Sequence, residues 1–280
     1  MKGQLFTQKR QVLGKIFTIA VLTGCTGMLC VSCNRSQDVL VTEIGVSPPN
    51  RLTPKTSKAG EFYIQGQNQH AKGNSQAAIA AYSKSISLNS QYAPAFKSRG
   101  LAYFDVGNKE GAIADYNQAL RLNPNDAETY NNRGNARASL GDQQNAITDY
   151  NEAIRLANNY AQAYNNRGNA RATQGHKNGA LADYTQAIRI DQNYAVAYNN
   201  RGNTYASQGD QQKAIADYNQ AIRLNPNFAP AFNNRGNAFA ATGDKRSALQ
   251  DLQRAAAILD KEGNKELYQQ VMKNIEELGR

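Results

Sequence analysis

Residues 161–194 read AQAYNNRGNARATQGHKNGALADYTQAIRIDQNY, and similar stretches recur along the chain at a strict interval of 34 residues. Glycine keeps this interval twice over, at positions 66, 100, 134, 168, 202 and 236 and at positions 73, 107, 141, 175, 209 and 243. Six contiguous units therefore fill 59–262, namely 59–92, 93–126, 127–160, 161–194, 195–228 and 229–262. A fixed period of this length predicts one supersecondary unit stacked many times.

Each unit, numbered 1 to 34 from its first alanine, predicts a helical hairpin. Apolar or small residues at positions 1, 4, 8 and 11 share one face of a first helix. A glycine at position 15 ends that helix and lets the chain turn. A second helix follows, with Ala214, Tyr218 and Ala221 on its buried side in the fifth unit. Small residues at positions 8 and 20 allow the two helices to approach closely.

The order of aromatic, glycine, aromatic, alanine, aromatic and alanine residues resembles the tetratricopeptide repeat. This resemblance covers about three quarters of the chain and implies an all-α, right-handed superhelical solenoid of six hairpins. The last unit departs from the pattern, since Leu252 replaces a tyrosine, and atypical terminal units are expected in a solenoid. Residues 263–280 place Leu267, Val271 and Ile275 on one face, which predicts a C-terminal capping helix.

The octet YNNRGNAR at 130–137 and 164–171 lies on the first helix and returns with small changes in the last two units. In the repeat family that the chain resembles, first helices line a concave surface, and positions 2, 5, 9 and 12 point into it, with position 6 nearby. The resemblance therefore implies a groove lined by twelve asparagines. They are Asn131, Asn132, Asn135, Asn165, Asn166, Asn169, Asn199, Asn200, Asn203, Asn233, Asn234 and Asn237.

An asparagine side chain offers donors and an acceptor without charge, which suits the N–H and C=O groups of an extended peptide. The row is similar to that in the repeat arm of O-linked N-acetylglucosamine transferase, in which asparagines hold substrate backbones. Two structural interpretations stand beside this one. The carboxamides could bridge neighbouring helices. Alternatively, they could recur only because near-identical repeats were duplicated, without a function of their own.

Arginine occupies position 7 in five units, and an aspartate follows sixteen residues later in each. This spacing predicts a repeated structural ion pair between the two helices of a hairpin rather than a ligand site. Arg137 and Arg171 stand at position 11, where the second, fifth and sixth units carry aromatic residues. These two side chains are candidates for a local basic stripe that meets an acidic ligand.

The first 33 residues predict a targeting or membrane-anchor segment, because basic residues precede an uncharged apolar run that begins at Ile16. Within it, residues 22–25 resemble the lipobox of bacterial lipoproteins, with Cys25 as the lipidated residue and Cys33 as the alternative. The other two interpretations of this segment are an uncleaved membrane anchor and an ordinary signal peptide that is cleaved off. Residues 34–58 carry three prolines and no helical period, which predicts an exposed, flexible tether.

Charge and residue types bear on the class of function. Residues 1–58 hold 8 Lys/Arg and 2 Asp/Glu, so they carry +6 of the total charge of +10. The repeats are therefore nearly neutral, and we predict no nucleic-acid partner. His70 and His176 are the only histidines and are predicted on the surface or in turns; no strand is predicted, and no catalytic, metal or cofactor site is evident.

The sequence thus predicts a non-catalytic interaction scaffold without a small-molecule substrate. It would be exported and anchored in the bacterial cell envelope, on the periplasmic or outer-surface side, and would bind another protein or peptide segment in its groove. One alternative is an assembly factor that uses its convex face or ends in a membrane, secretion or pilus-type complex. Another is the recognition arm of a separately encoded enzyme.

Overall fold

The computed structural model describes residues 18–21, 29–32 and 57–279, and within them the chain forms thirteen α-helices. The helices are α1 Lys58–Ala71, α2 Ser75–Leu88, α3 Ala93–Asp105, α4 Lys109–Leu122, α5 Ala127–Ser139, α6 Gln143–Leu156, α7 Ala161–Thr173, α8 Lys177–Ile190, α9 Ala195–Ser207, α10 Gln211–Leu224, α11 Ala229–Ala241, α12 Lys245–Glu262 and α13 Lys265–Gly279. Each odd-numbered helix from α1 to α11 packs against the helix that follows it. The predicted all-α solenoid of helical hairpins is confirmed.

A glycine with positive φ stands at the turn inside each of the six hairpins, and in four of them a capping side chain follows it. Gly141 has φ +85°, a left-handed conformation that side chains with a Cβ rarely adopt. Asp142 follows as the N-cap of α6, and its carboxylate accepts a hydrogen bond from the backbone N–H of Asn145. The dipeptide therefore ends one helix and begins the next.

The core of each hairpin is a tyrosine packed against a glycine. A Cβ added to Gly168 would lie 2.7 Å from Cε1 of Tyr184, closer than two carbons can stand. The equivalent tyrosines of the first five units are all buried, and Leu252 takes their place in the sixth. These tyrosines are Tyr82, Tyr116, Tyr150, Tyr184 and Tyr218. Glycine at position 8 is thus required by the ring that covers it.

The first helices form the inner layer of the stack. First helices of successive hairpins contact one another directly, as α5 contacts α7 and α7 contacts α9, whereas consecutive second helices approach each other less. In a curved array the more crowded layer lies at the smaller radius, so the first helices line the concave side. The helix α13 covers the end of the stack with Val271 buried, and the predicted capping helix is present.

Two short strands differ from the prediction that the chain has none. Thr18–Val21 forms β1 and Leu29–Ser32 forms β2, and they pair antiparallel with Ile19 opposite Val31. Both lie in the apolar leader, where β-branched residues favour extended backbone. Cys25 and Cys33, the two candidate lipidation sites, lie outside the described residues. No helix in the described part of the chain has both the length and the apolar character needed to span a membrane.

Candidate binding groove

The asparagines at position 5 are buried between successive first helices. Asn165 is 0% exposed and Asn199 is 1% exposed. The Oδ1 atom of Asn165 accepts a hydrogen bond of 3.0 Å from Nδ2 of Asn200, which stands at position 6 of the next unit. A carboxamide enclosed in this way is stable only because its polar atoms find partners.

The same contact repeats and forms one continuous network, which we call the asparagine ladder. Across helices, Asn166 donates to Asn131, Asn200 to Asn165, and Asn234 to Asn199, each at 3.0 Å. Within helices, Asn165 donates to Asn166 at 3.3 Å, and Asn199 to Asn200 and Asn233 to Asn234 at 3.4 Å. In the capping helix α13, Asn274 donates to Asn233 at 3.4 Å and ends the ladder. The geometry of these residues is that of structural bridging.

Replacing Asn200 by alanine is expected to lower the free energy of unfolding by roughly 1–3 kcal/mol. Asn200 is 3% exposed, and truncation removes the donor to Oδ1 of the buried Asn165 and the acceptor for Nδ2 of the buried Asn199. Asn237→Ala is the matched control, since Asn237 is exposed, and its change should stay within about 0.5 kcal/mol. Urea unfolding followed by circular dichroism measures both. Equal stability of the two variants would show that the ladder does not hold the helices together.

The asparagines at position 9 are oriented by the buried tyrosines. The hydroxyl groups of Tyr150, Tyr184 and Tyr218 donate to Oδ1 of the position-9 asparagine in their own hairpin, each at 2.8 Å. These acceptors are Asn135, Asn169 and Asn203, and all three are only partly buried. Each of these three carboxamides is therefore held at its oxygen by a tyrosine from the core of its own hairpin.

The concave surface of the last three units carries no unpaired charge on its first helices. The charged residues of α7, α9 and α11 are four arginines, and each forms an ion pair with an aspartate of the following helix. The remaining concave positions 2, 12 and 13 hold only neutral residues. They are Gln162, Ala172 and Thr173, then Val196, Ala206 and Ser207, and then Pro230, Ala240 and Ala241.

The predicted ion pairs between positions 7 and 23 are confirmed. In the third unit, Nη2 of Arg133 lies 2.6 Å from Oδ1 of Asp149, whose side chain is 1% exposed. The other pairs are Arg99 with Asp115, Arg167 with Asp183, Arg201 with Asp217, and Arg235 with Asp251. These arginines join the two helices of one hairpin and are not available to a ligand in the groove.

The proposed basic stripe of Arg137 and Arg171 has a different geometry from the one expected. Arg137 lies 2.8 Å from Asp149, and Arg171 lies 2.7 Å from Asp183. Position 11 lies one helical turn after position 7, so both arginines of a unit reach the same carboxylate on the facing helix. Each of these two guanidinium groups is therefore paired inside its own hairpin.

Charge on the concave side is concentrated at the joint between α3 and α5. Lys97 lies 3.2 Å from Asp126 and 2.7 Å from Glu128. Burial lowers the pKa of Lys97, but the hydrogen bond to Glu128 and the two carboxylate charges outweigh it and raise the pKa. Burial raises the pKa of Asp126, but the ammonium of Lys97 and the N–H of Thr129 outweigh it and lower the pKa. The stability that Asp126 contributes is therefore present above its unfolded pKa and is lost as the pH falls through its folded pKa.

Only one of the two histidines occupies the surface or turn position predicted for both. His176 is exposed in the turn before α8, as expected, but His70 is only 5% exposed. Its Nε2 bonds to Asp105 of the next unit, and its ring stands edge-on to Tyr82. Among residues 57–279, no three His, Cys, Asp or Glu side chains are grouped as a metal site would require.

Comparison with protein families decides the identity of the repeat. A family profile described as TPR repeat matches residues 100–141, 134–175, 173–209 and 202–243. A second profile, described as tetratricopeptide repeat, matches residues 62–92. Together they cover more than half of the chain. The chain belongs to the tetratricopeptide repeat family. Members of this family typically act as protein-interaction scaffolds.

Solved structures similar to this tetratricopeptide repeat protein share its solenoid. MamA is 28% identical, with 59% of this chain and 96% of MamA covered and a TM-score of 0.52. YrrB, described as a TPR protein with an unusual peptide-binding site, is 24% identical, with 62% and 89% covered and a TM-score of 0.52. PilW, described as a type IV pilus biogenesis factor, is 17% identical, with 76% and 98% covered and a TM-score of 0.68. Among curated protein sequences, none matches the chain.

Proposed function

We propose that this tetratricopeptide repeat protein is a non-catalytic scaffold whose concave groove binds an extended, uncharged segment of another protein. The observation that carries the proposal is a concave surface that has no unpaired charge on α7, α9 and α11 and is lined by partly or fully exposed carboxamides. Neutral N–H donors in such a groove match the carbonyl oxygens of a polypeptide backbone. A strongly acidic or basic ligand would find no unpaired opposite charge on α7, α9 or α11.

The twelve asparagines divide into two groups under this proposal. Those that remain at least partly accessible are assigned to the ligand, and they are Asn132, Asn135, Asn166, Asn169, Asn203 and Asn237. The six buried ones are assigned to holding first helices together, and they are Asn131, Asn165, Asn199, Asn200, Asn233 and Asn234. Asn166 belongs to both functions, because it bonds within the ladder and still reaches the surface.

We further propose that the scaffold acts in the bacterial cell envelope, anchored through residues 1–33 and spaced from the membrane by residues 34–58. The basic start and apolar run of the leader support export, and a lipid on Cys25 or Cys33 would retain the protein at a membrane. Growth with a labelled fatty acid tests the anchor. Label lost in Cys25→Ala but kept in Cys33→Ala would assign lipidation to Cys25, and the reverse pattern would assign it to Cys33.

Site-specific photo-crosslinking of the full chain in cells tests the groove. Photoreactive residues at Asn237 and Ser207 report on the concave side, and one at the exposed Gln212 of α10 reports on the convex side. We expect one discrete protein to be captured from both concave sites, with the crosslinks confined to a single extended segment of it. Capture from Gln212 alone would contradict the proposal and favour an assembly factor that uses its convex face.

A further inference from the structure

Arginine recurs at position 29 in the second to fifth units, in the last turn of the second helix. We call these four exposed residues the arginine row, and they are Arg121, Arg155, Arg189 and Arg223. The same position holds Ser87 in the first unit and Ala257 in the sixth, and a second helix forms in both. A hairpin therefore folds without an arginine at this position.

The arginine row lies on the outer layer of the solenoid. Position 29 stands one helical turn after position 25, so the two positions share a face of the second helix. At position 25, Asn117 accepts a hydrogen bond of 2.8 Å from Arg133 of the next hairpin. Positions 22, 25 and 29 are all exposed in the four units. Because the first helices line the concave side, this exposed face of the second helices lies on the convex side.

Three arginines of the row have no carboxylate partner. Arg121 and Arg189 form no side-chain hydrogen bond or ion pair within residues 57–279. The Nε atom of Arg223 donates a hydrogen bond of 3.0 Å to the side chain of Gln220, which is neutral. Their positive charges are therefore available to a partner.

Few carboxylates lie beside the row. Arg155 forms an ion pair of 2.8 Å with Glu152 one turn earlier. Asp191 is exposed just after α8, and its carboxylate accepts a hydrogen bond of 2.9 Å from the backbone N–H of Asn193. The remaining carboxylates between positions 22 and 33 of these units are the position-23 aspartates, which are buried in ion pairs within their hairpins.

We propose that the arginine row is a second interaction surface, on the convex side, that binds an extended acidic segment of a partner protein. This surface is separate from the groove, and its ligand has the opposite character, since the groove ligand is uncharged. A guanidinium group can form two parallel hydrogen bonds with a carboxylate, which makes aspartate and glutamate side chains suitable partners.

Shape and charge favour a polypeptide over other polyanions. The outer layer of a curved array follows a convex arc, and the flat surface of a membrane cannot contact four arginines on such an arc at once. A nucleic acid carries a phosphate at every nucleotide, so it would be repelled at Glu152 and Asp191. An extended polypeptide can follow the arc and place its carboxylates only where the arginines stand.

Nuclear magnetic resonance of the arginine Nε–Hε groups tests the inference. The signals report on the row itself, so binding to the basic residues of the leader does not enter the measurement. The ¹⁵N-labelled full chain, in neutral detergent micelles at low ionic strength, is titrated with a capped peptide of sixteen residues that alternate Glu and Ser. A peptide that alternates Gln and Ser is the uncharged control, and an oligothymidylate with eight phosphates matches the charge of the Glu peptide.

We expect the signals of Arg121, Arg189 and Arg223 to shift together with the Glu peptide and not with the Gln peptide. Because one extended segment would contact the whole row, Arg189→Gln should weaken the affinity read at Arg121 and Arg223 at least threefold. Arg246→Gln is the matched control, since it removes the same charge from an exposed residue of α12 outside the row and should leave that affinity unchanged.

Three results would overturn the inference. The first is an affinity at Arg121 and Arg223 that Arg189→Gln does not weaken. The second is an equal loss of affinity in Arg246→Gln, which would show that only the overall charge matters. The third is tighter binding of the oligothymidylate than of the Glu peptide at the row, which would favour a nucleic acid. Groove binding is tested separately, because none of these substitutions lies on a first helix.

Discussion

Replacing Asp149 by alanine is expected to lower the free energy of unfolding by about 3–5 kcal/mol. The carboxylate of Asp149 is almost wholly buried and lies 2.6 Å from Arg133 and 2.8 Å from Arg137. Truncation removes the counter-charge of two partly buried guanidinium groups at once, and neither has another carboxylate in the described ion pairs. Chemical denaturation of the full chain, read by circular dichroism, measures the loss.

Asp260→Ala is the control for this change. Asp260 is exposed on α12 and is not among the residues with a side-chain ion pair in residues 57–279, so its loss should stay within about 0.5 kcal/mol. A difference between the two variants of less than about 1 kcal/mol would contradict the assignment of the Arg–Asp pairs as the link between the helices of a hairpin.

Replacing Tyr184 by alanine is expected to cost about 3–5 kcal/mol of unfolding free energy, as for other large buried aromatic side chains. The ring fills the space over Gly168, where even a Cβ would stand 2.7 Å from it, so its removal leaves a cavity between α7 and α8. Because hairpins in a solenoid are stabilised mainly by their neighbours, the loss should be greatest in the fourth unit and the units beside it. Hydrogen exchange of the backbone amides would locate it.

Tyr184→Phe separates the ring from its hydroxyl group. The phenylalanine retains the packing over Gly168 but cannot donate to Asn169, so the cost should be only about 0.5–1.5 kcal/mol. We also expect this variant to bind the groove ligand more weakly, because the carboxamide of Asn169 loses one of the hydrogen bonds that hold its oxygen. Unchanged affinity would show that the tyrosine hydroxyl has no influence on the groove.

The hairpins could be predicted in detail because the repeat displays each structural position six times. One glycine at position 8 and one tyrosine at position 24 would not predict a contact between them. Their recurrence in five units does predict that the two residues face each other. The ion pair of Arg133 with Asp149 was predictable for the same reason, since both residues recur at a fixed separation. These are contacts within one hairpin, and their spacing in the sequence is short.

Burial of the asparagine ladder could not be predicted, because it depends on contacts between hairpins. A helical pattern shows that Asn165 faces away from its own partner helix, but it does not show that the next first helix covers it. Arg171 is a different case, because its partner Asp183 lies in the same hairpin and is also bound by Arg167. His70 was placed wrongly because Asp105, its partner, comes from the neighbouring unit.

One signal of the oriented carboxamides was present in the sequence. Asparagine at position 9 coincides with tyrosine at position 24 in the third, fourth and fifth units. A donor at one position and an acceptor at the other are compatible with a hydrogen bond, but the two positions are fifteen residues apart and a turn lies between them. Only the angle between the two helices of a hairpin decides whether the hydroxyl reaches Oδ1.

We propose that groove-facing carboxamides bind the ligand while buried ones hold the helices together. Nuclear magnetic resonance of the ¹⁵N-labelled side-chain amide groups tests it directly, with Asn203, Asn237 and the buried Asn165 assigned by substitution. On addition of the peptide segment identified by crosslinking, we expect shifts in the Asn203 and Asn237 signals and none in that of Asn165. Shifts confined to Asn178, which is exposed on α8, or none at Asn203 and Asn237, would contradict groove binding.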